Sequence, residues 1–124
     1  MLIKLKELSG VEAHSLMAIY QESNKDNIPY FFPEVKDIIK GLQLVEESYL
    51  HWLRNDFLKK ENAACYVWVE KGIWLSSLRL CKMNTNHYFL EALETNPNYR
   101  KKGHAEKLIN SIIDELTVKG AVEI

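Results

Sequence analysis

Leu93-Glu94-Thr95-Asn96-Pro97-Asn98-Tyr99-Arg100-Lys101-Lys102-Gly103-His104-Ala105 joins a strand-like run, His87 to Thr95, to the most regular helical pattern of the chain. In that pattern Ala105, Leu108, Ile109, Ile112, Ile113 and Leu116 recur at spacings of three and four and make one apolar stripe. Asn96-Pro97-Asn98 stops the strand, because proline cannot donate to a sheet ladder. A helix N-terminus carries free N–H groups and partial positive charge, so acidic residues are favoured there. Arg100, Lys101 and Lys102 stand there instead, each at a cost of roughly 0.3 kcal/mol.

Two readings of this loop are open. In one, an anion gathers the backbone N–H groups, the helix end and the basic side chains, and Gly103 lets a phosphate approach the backbone. In the other, the run is a solvated face that ends in a turn glycine. Known phosphate loops do not match. The dinucleotide fingerprint needs three glycines, and a Walker loop needs Gly-Lys followed by Ser or Thr.

Outward from this stretch, Ala63 to Val69 and Ile73 to Met83 read as two more strands, closed by the turns Glu70-Lys71-Gly72 and Asn84-Thr85-Asn86. Alternation along the third strand puts Phe89, Glu91, Leu93 and Thr95 on one face and Leu90, Ala92 and Glu94 on the other. Nearer the start, Ile3 to Leu8 reads as a strand ended by Ser9-Gly10, and Val11 to Ser23 as a helix. Pro29 and Pro33 bracket Tyr30-Phe31-Phe32, and Pro33 is placed to open a helix. Helical spacing then runs through Val35, Ile38, Ile39, Leu42, Val45, Tyr49, Trp52, Leu53 and Phe57 to Lys60, with Gly41 dividing it into a short and a longer helix. The aromatic residues pack as core, or Tyr30, Phe31 and Phe32 wall a substrate pocket. After the last helix, Lys119-Gly120 is a helix ending, and Ala121 to Ile124 open a fifth strand.

The order β-α-α-β-β-β-α-β predicts an α/β fold with a mixed central sheet. The early strands form antiparallel hairpins and the final strand–helix–strand unit a parallel crossover. The 124 residues suffice for one domain. A net charge of -1 argues against a general nucleic-acid binder. No apolar run approaches the roughly 20 residues that span a bilayer, and the start has no signal-peptide core, so a cytoplasmic protein is expected. Cys65 and Cys81 sit in apolar runs and are expected as buried free thiols. No metal site is expected.

The stretch Leu93 to Ala105 resembles the signature of GNAT-type N-acetyltransferases. That loop reads Arg/Gln-x-x-Gly-x-Gly/Ala, often after a Pro-x-Tyr turn. Pro97, Tyr99, Arg100, Gly103, Ala105, Leu108 and Ile109 stand in register. Lys101 replaces a frequent glycine, and His104 stands where an aliphatic residue is usual. The resemblance implies that backbone groups of Arg100, Lys101, Lys102, Gly103, His104 and Ala105 hold the pyrophosphate of acetyl-CoA. Leu93, Glu94 and Thr95 would pair with its pantetheine arm like an added strand. A charged His104 would add to the anion site; a solvent-facing histidine is the alternative.

The implied activity is direct transfer of acetyl from the thioester to a small-molecule or peptide amine. The amine must be neutral to attack, which calls for a general base. Glu91 occupies the place where polyamine acetyltransferases carry a Leu-Glu-Asp glutamate, here Leu90-Glu91-Ala92. It is expected as base or amine anchor, or as a partner of Arg79, with Glu94 as the second candidate. By the same resemblance, residues 1–124 are a single, incomplete domain lacking the family's last helix and two strands, among them the tyrosine-bearing helix that supplies the thiolate acid. The sheet edge this would expose suggests a homodimer. The alternative function is a non-catalytic CoA-binding or protein-interaction module.

Overall fold

The computed structural model describes residues 1–84 and 87–118. Its elements run β1 (Leu2–Leu5), α1 (Gly10–Asp26), α2 (Ile28–Phe31), α3 (Ile38–Trp52), a π-helical turn (Leu53–Phe57), β2 (Ala63–Glu70), β3 (Ile73–Lys82), β4 (Tyr88–Thr95), a 3-10 turn (Pro97–Tyr99) and α4 (His104–Val118). The strands form one sheet in the order β1-β2-β3-β4, antiparallel throughout. The expected α/β class holds; among the described residues it is a four-stranded antiparallel sheet with helices on both faces. The helix ending at Lys119-Gly120 and the fifth strand from Ala121 to Ile124 lie outside the described residues.

Local chemistry sets the main boundaries. Ser9 starts α1 with a reciprocal cap: its hydroxyl accepts from the Glu12 N–H at 3.1 Å, and the Glu12 carboxylate accepts from the Ser9 N–H at 2.9 Å. Lys71 and Gly72 adopt φ 53° and 77°, the left-handed pair that a tight hairpin needs between β2 and β3. Along β2, successive side chains serve two different cores. Cys65 and Val67 pack with Leu16, Ile19, Tyr20, Leu53 and Phe57 under α1 and α3. Ala64 and Tyr66 pack with Leu78, Leu80, Leu108, Ile112 and Leu116 under α4. A strand buried on both faces has no polar alternate positions, hence its continuous apolar sequence. Both cysteines are free thiols. No helix among the described residues is long and apolar enough to cross a membrane.

Three boundaries differ from the sequence expectation. β1 ends at Leu5 rather than Leu8. Pro33 does not open a helix: Pro29 fills the first turn of α2, and α3 begins at Asp37, whose carboxylate accepts from the N–H of Ile39 at 3.0 Å and of Lys40 at 3.4 Å. Gly41 does not divide the helix, which runs unbroken from Ile38 to Trp52. A Cβ on Gly41 would lie 2.7 Å from Cγ2 of Ile28, so the glycine serves close approach of α2 to α3.

Gly41→Ala therefore sets a helix-propensity gain of about 1 kcal/mol against an overlap costing roughly 1–3 kcal/mol. In denaturant unfolding the single variant is expected to be less stable than the parent. In an Ile28→Ala background the same substitution is expected to be stabilising. A destabilisation that persists there would show that Ile28 is not the obstacle.

Candidate functional site

Pairing between β3 and β4 slips by one residue. Arg79 faces Glu91 and Ser77 faces Glu94, so three steps along β4 match two along β3. Ala92 absorbs the extra residue at φ 55°, the left-handed geometry of a bulge. Directly paired residues share a sheet face. Glu91 and Glu94 therefore both point toward α1 and α3, not to opposite faces as simple alternation predicted. The Tyr20 hydroxyl, on α1, donates to the Ala92 carbonyl at 2.8 Å. Burial pushes the acidity of that hydroxyl well out of the physiological range.

A cavity of about 470 Å³ opens between this bulge and the helices. Tyr20, Phe31, Tyr49 and Trp52 form its walls, and Ser23, Ser48, Arg79 and Glu94 supply polar groups. The Arg79 guanidinium lies over the Trp52 ring, 4.9 Å from its centroid, a cation–π contact. Its Nε donates to Glu91 at 3.0 Å and its Nη1 to the Tyr49 hydroxyl at 2.7 Å. Burial raises the Tyr49 hydroxyl to about 12 even against the pull of Arg79. It raises the Cys65 thiol, across the strand from Arg79, to about 12 as well. Both therefore stay neutral around pH 7. Burial also raises the Glu94 carboxyl, against the opposing pull of Arg100.

A second cavity, of about 390 Å³, lies between the end of β4 and the start of α4. Leu93, Glu94, Thr95, Arg100, Lys101, Gly103, His104 and Ala105 line it. These are the residues proposed from sequence to hold a cofactor, apart from Lys102, which is exposed outside the lining. Lys101 and Gly103 take φ 66° and 75°. The position where the signature often carries glycine is thus one that glycine adopts without strain. The Gly103 carbonyl accepts from the Lys107 N–H at 3.0 Å and begins the ladder of α4. The Arg100 guanidinium is ion-paired with Glu22 on α1. His104 is not solvent-facing but buried, at 7% exposure. Its Nδ1 lies 3.9 Å from Glu70, which accepts from Trp68 Nε1 at 2.7 Å and Lys107 Nζ at 2.9 Å. Those bonds, first from Trp68 and then from Lys107, hold the Glu70 carboxyl down at about 2.

Glu94 lines both cavities. Of the aromatic loop, Phe31 lines the first cavity, whereas Tyr30 is 82% exposed and Phe32 half-buried outside the lining. Sequence reasoning missed Tyr20, Tyr49 and Trp52 as cavity walls, since their helical spacing is also that of core residues. Arg79 had a usable signal, a charge in the apolar interior of β3 rather than at its end. Among the described residues no cluster of His, Cys, Asp and Glu is arranged to hold a metal ion.

A sequence profile described as the Acetyltransferase (GNAT) family matches residues 13–124. The chain belongs to the GNAT acetyltransferase family. Solved GNAT structures share its fold. The ribosomal-protein-alanine N-acetyltransferase of Brucella melitensis biovar Abortus 2308 superposes with a TM-score of 0.62 at 13% identity, over 99% of this chain and 75% of that one. The PaiA N-acetyltransferase of Thermoplasma acidophilum, solved in complex with coenzyme A, gives 0.56 at 13% identity, over 97% and 74%. An aminoglycoside acetyltransferase from an uncultured soil metagenomic sample, in complex with sisomicin, gives 0.55 at 13% identity, over 99% and 73%. A search of curated protein sequences finds no significant match.

The GNAT loop geometry carries its own test. A non-glycine residue in the left-handed region costs roughly 1 kcal/mol, and Lys101 is exposed, with little packing to lose. Lys101→Gly is expected to raise the thermal midpoint, and Lys101→Val to lower it. Equal midpoints for the two variants would contradict the left-handed backbone at this position.

Proposed function

We propose that this GNAT protein is an acetyl-CoA-dependent N-acetyltransferase whose cofactor lies in the second cavity and whose amine acceptor enters the first. The observation that carries this reading is Glu94, which borders both cavities at the β4 bulge. The pyrophosphate would lie on the backbone N–H groups from Arg100 to Ala105, where the start of α4 favours an anion. The pantetheine arm would run along Leu93, Glu94 and Thr95, and the thioester would reach the bulge. A backbone N–H there can stabilise the oxyanion that forms on the acetyl carbonyl.

Glu94 is the better placed of the two candidate bases. Its carboxyl borders the acceptor cavity and is raised by burial, which suits proton uptake nearer neutral pH. Glu91 holds Arg79 against Tyr49 and Trp52 and would act by shaping the acceptor wall. The amine nitrogen bonds to the acetyl carbon, its proton passes to Glu94, and the carbon–sulfur bond breaks to release the CoA thiolate, which solvent can protonate. Aromatic walls beside a carboxylate suit an amine carried on an apolar body. The related structures include enzymes named for a protein amine and for an aminoglycoside, so small molecules and peptide N-termini both belong in an acceptor panel. The capture of Glu91 by Arg79 favours one second reading, a CoA-binding module without transfer.

Calorimetry with acetyl-CoA, followed by acetylation of an amine panel, separates these readings. Folded protein that binds no acetyl-CoA overturns both, and binding without turnover favours the module. Glu94→Gln is expected to keep cofactor affinity and lose on the order of 10²- to 10⁴-fold in rate. The parent enzyme's rate is expected to rise with pH over a range above that of an ordinary carboxylate, because deprotonated Glu94 is the active form and its carboxyl is raised. Glu91→Gln is expected to lower unfolding stability by roughly 1–3 kcal/mol, since Arg79 loses a charged hydrogen-bond partner. Full rate in Glu94→Gln together with a large loss in Glu91→Gln would return the base role to Glu91.

A further inference from the structure

The first cavity holds a group that a site for simple amines does not need, a guanidinium with donors to spare. Arg79 belongs to the cavity lining, and its side chain is 17% exposed. Aromatic rings fix the cation: it lies 4.9 Å from the centroid of Trp52, 5.6 Å from that of Tyr49 and 5.8 Å from that of Phe57. Nε donates to Glu91 and Nη1 to the Tyr49 hydroxyl. Among the described residues Nη2 has no hydrogen-bond partner, and it is not one of the unpartnered atoms sealed from solvent. A guanidinium has five N–H donors and no acceptor, so the Nη2 hydrogens remain for a guest or for water. Tyr49 lines the same cavity, and its hydroxyl oxygen accepts from Arg79 at 2.7 Å, which leaves its own hydrogen to donate.

Neighbouring donors of this kind suit the two oxygens of a carboxylate. Glu91 balances the charge of Arg79 but lies outside the lining, whereas Glu94 belongs to it. The lining therefore carries one cation and one carboxylate, and a guest with one charge of each sign matches both. A phosphate dianion would be repelled by Glu94, and a simple amine would leave the Arg79 donors unmatched. Arg79 and Ser77 stand two residues apart on β3, and Ser77 is paired with Glu94, an offset of roughly 7 Å along the sheet. Two hydrogen bonds of about 2.9 Å and the short span of an α-amino acid fill that offset. We propose that the acceptor is a free amino acid with an apolar side chain, its carboxylate held by Arg79 and Tyr49 and its amine by Glu94. This rests on the reading of the first cavity as the acceptor site. The amine nitrogen bonds to the acetyl carbon and gives its proton to Glu94, so the products are an N-acetyl amino acid and CoA. A peptide N-terminus carries an amide where the free amino acid carries a carboxylate and is the poorer acceptor.

The experiment compares leucine, methionine and phenylalanine with the matching amines that lack the carboxyl group, and with the matching amino acid amides, which stand for a peptide N-terminus. In the set whose side chain fits best, kcat/KM is expected to be roughly 10- to 100-fold higher for the free amino acid, the value of a hydrogen bond to a charged group. Amines or amides that match the amino acids throughout, or turnover confined to other amines, overturn the proposal and leave the acetyltransferase reading intact. Removing Arg79 alone would strand Glu91, so the charge-balanced double variant Arg79→Gln with Glu91→Gln is used. It is expected to bring the ratio toward one, through KM more than kcat, and an unchanged ratio overturns the role of Arg79. Binding to the parent protein tests the claim without turnover and without a variant. N-acetyl-L-phenylalanine and N-acetylphenethylamine differ by the carboxylate alone. NMR titration of the tryptophan indole signals is expected to show about tenfold or tighter binding of the first; equal affinity, or binding of neither, overturns the proposal. Folded protein that binds no acetyl-CoA and acetylates no amine overturns the acetyltransferase reading itself, and the proposal with it.

Discussion

The hydrogen bond from the Tyr20 hydroxyl to the Ala92 carbonyl ties α1 to the one place where β4 leaves regular pairing. A bulge inside a sheet leaves a residue without a cross-strand partner and bends the strand. Here the Ala92 carbonyl is taken up by a buried phenol, which satisfies the backbone group at the irregularity. The rest of the site depends on that anchor. The slipped register turns Glu94 toward the helices, while Leu93 and Thr95 remain against the start of α4. Two cavities built from different elements thereby share one residue.

The electrostatics of the two cavities differ in kind. In the first, Arg79 is a shielded cation, stacked on Trp52 and hydrogen-bonded by Tyr49 and Glu91. Phenols and a thiol near it are kept neutral by burial. Glu94 is the carboxylate in that lining, and burial raises it. In the second, charge is peripheral. Lys101 and Lys102 are exposed, and Arg100 is spent on Glu22. The strongest anion-binding elements left there are backbone N–H groups at a helix start, which a GNAT loop can offer whatever its side chains are.

That distribution refines the sequence argument. The basic run before α4 was a reason to expect an anion, yet the side chains that made the argument mostly face solvent or another element. The backbone of that loop has Lys101 and Gly103 in the left-handed region, and the ladder of α4 starts from the Gly103 carbonyl. His104, one of the two departures from the signature, is buried in that loop, as is Asn96.

The sequence by itself determined the order of the four described strands and of the three long helices, the apolar stripe of α4, the buried strand β2 and the loop that shapes the second cavity. Each of these follows from local chemistry: periodicity, turn residues and the stopping power of Pro97. Only the tertiary structure decided which way Glu94 points, because one extra residue at Ala92 inverts an alternation that the sequence does not mark. It also decided the role of Gly41, which answers to Ile28 across a helix contact and not to its own neighbours. The walls of the first cavity belong to this second group. Tyr20, Tyr49 and Trp52 have the spacing of core residues, and whether such residues fill a space or enclose one depends on how closely α1 and α3 approach the sheet.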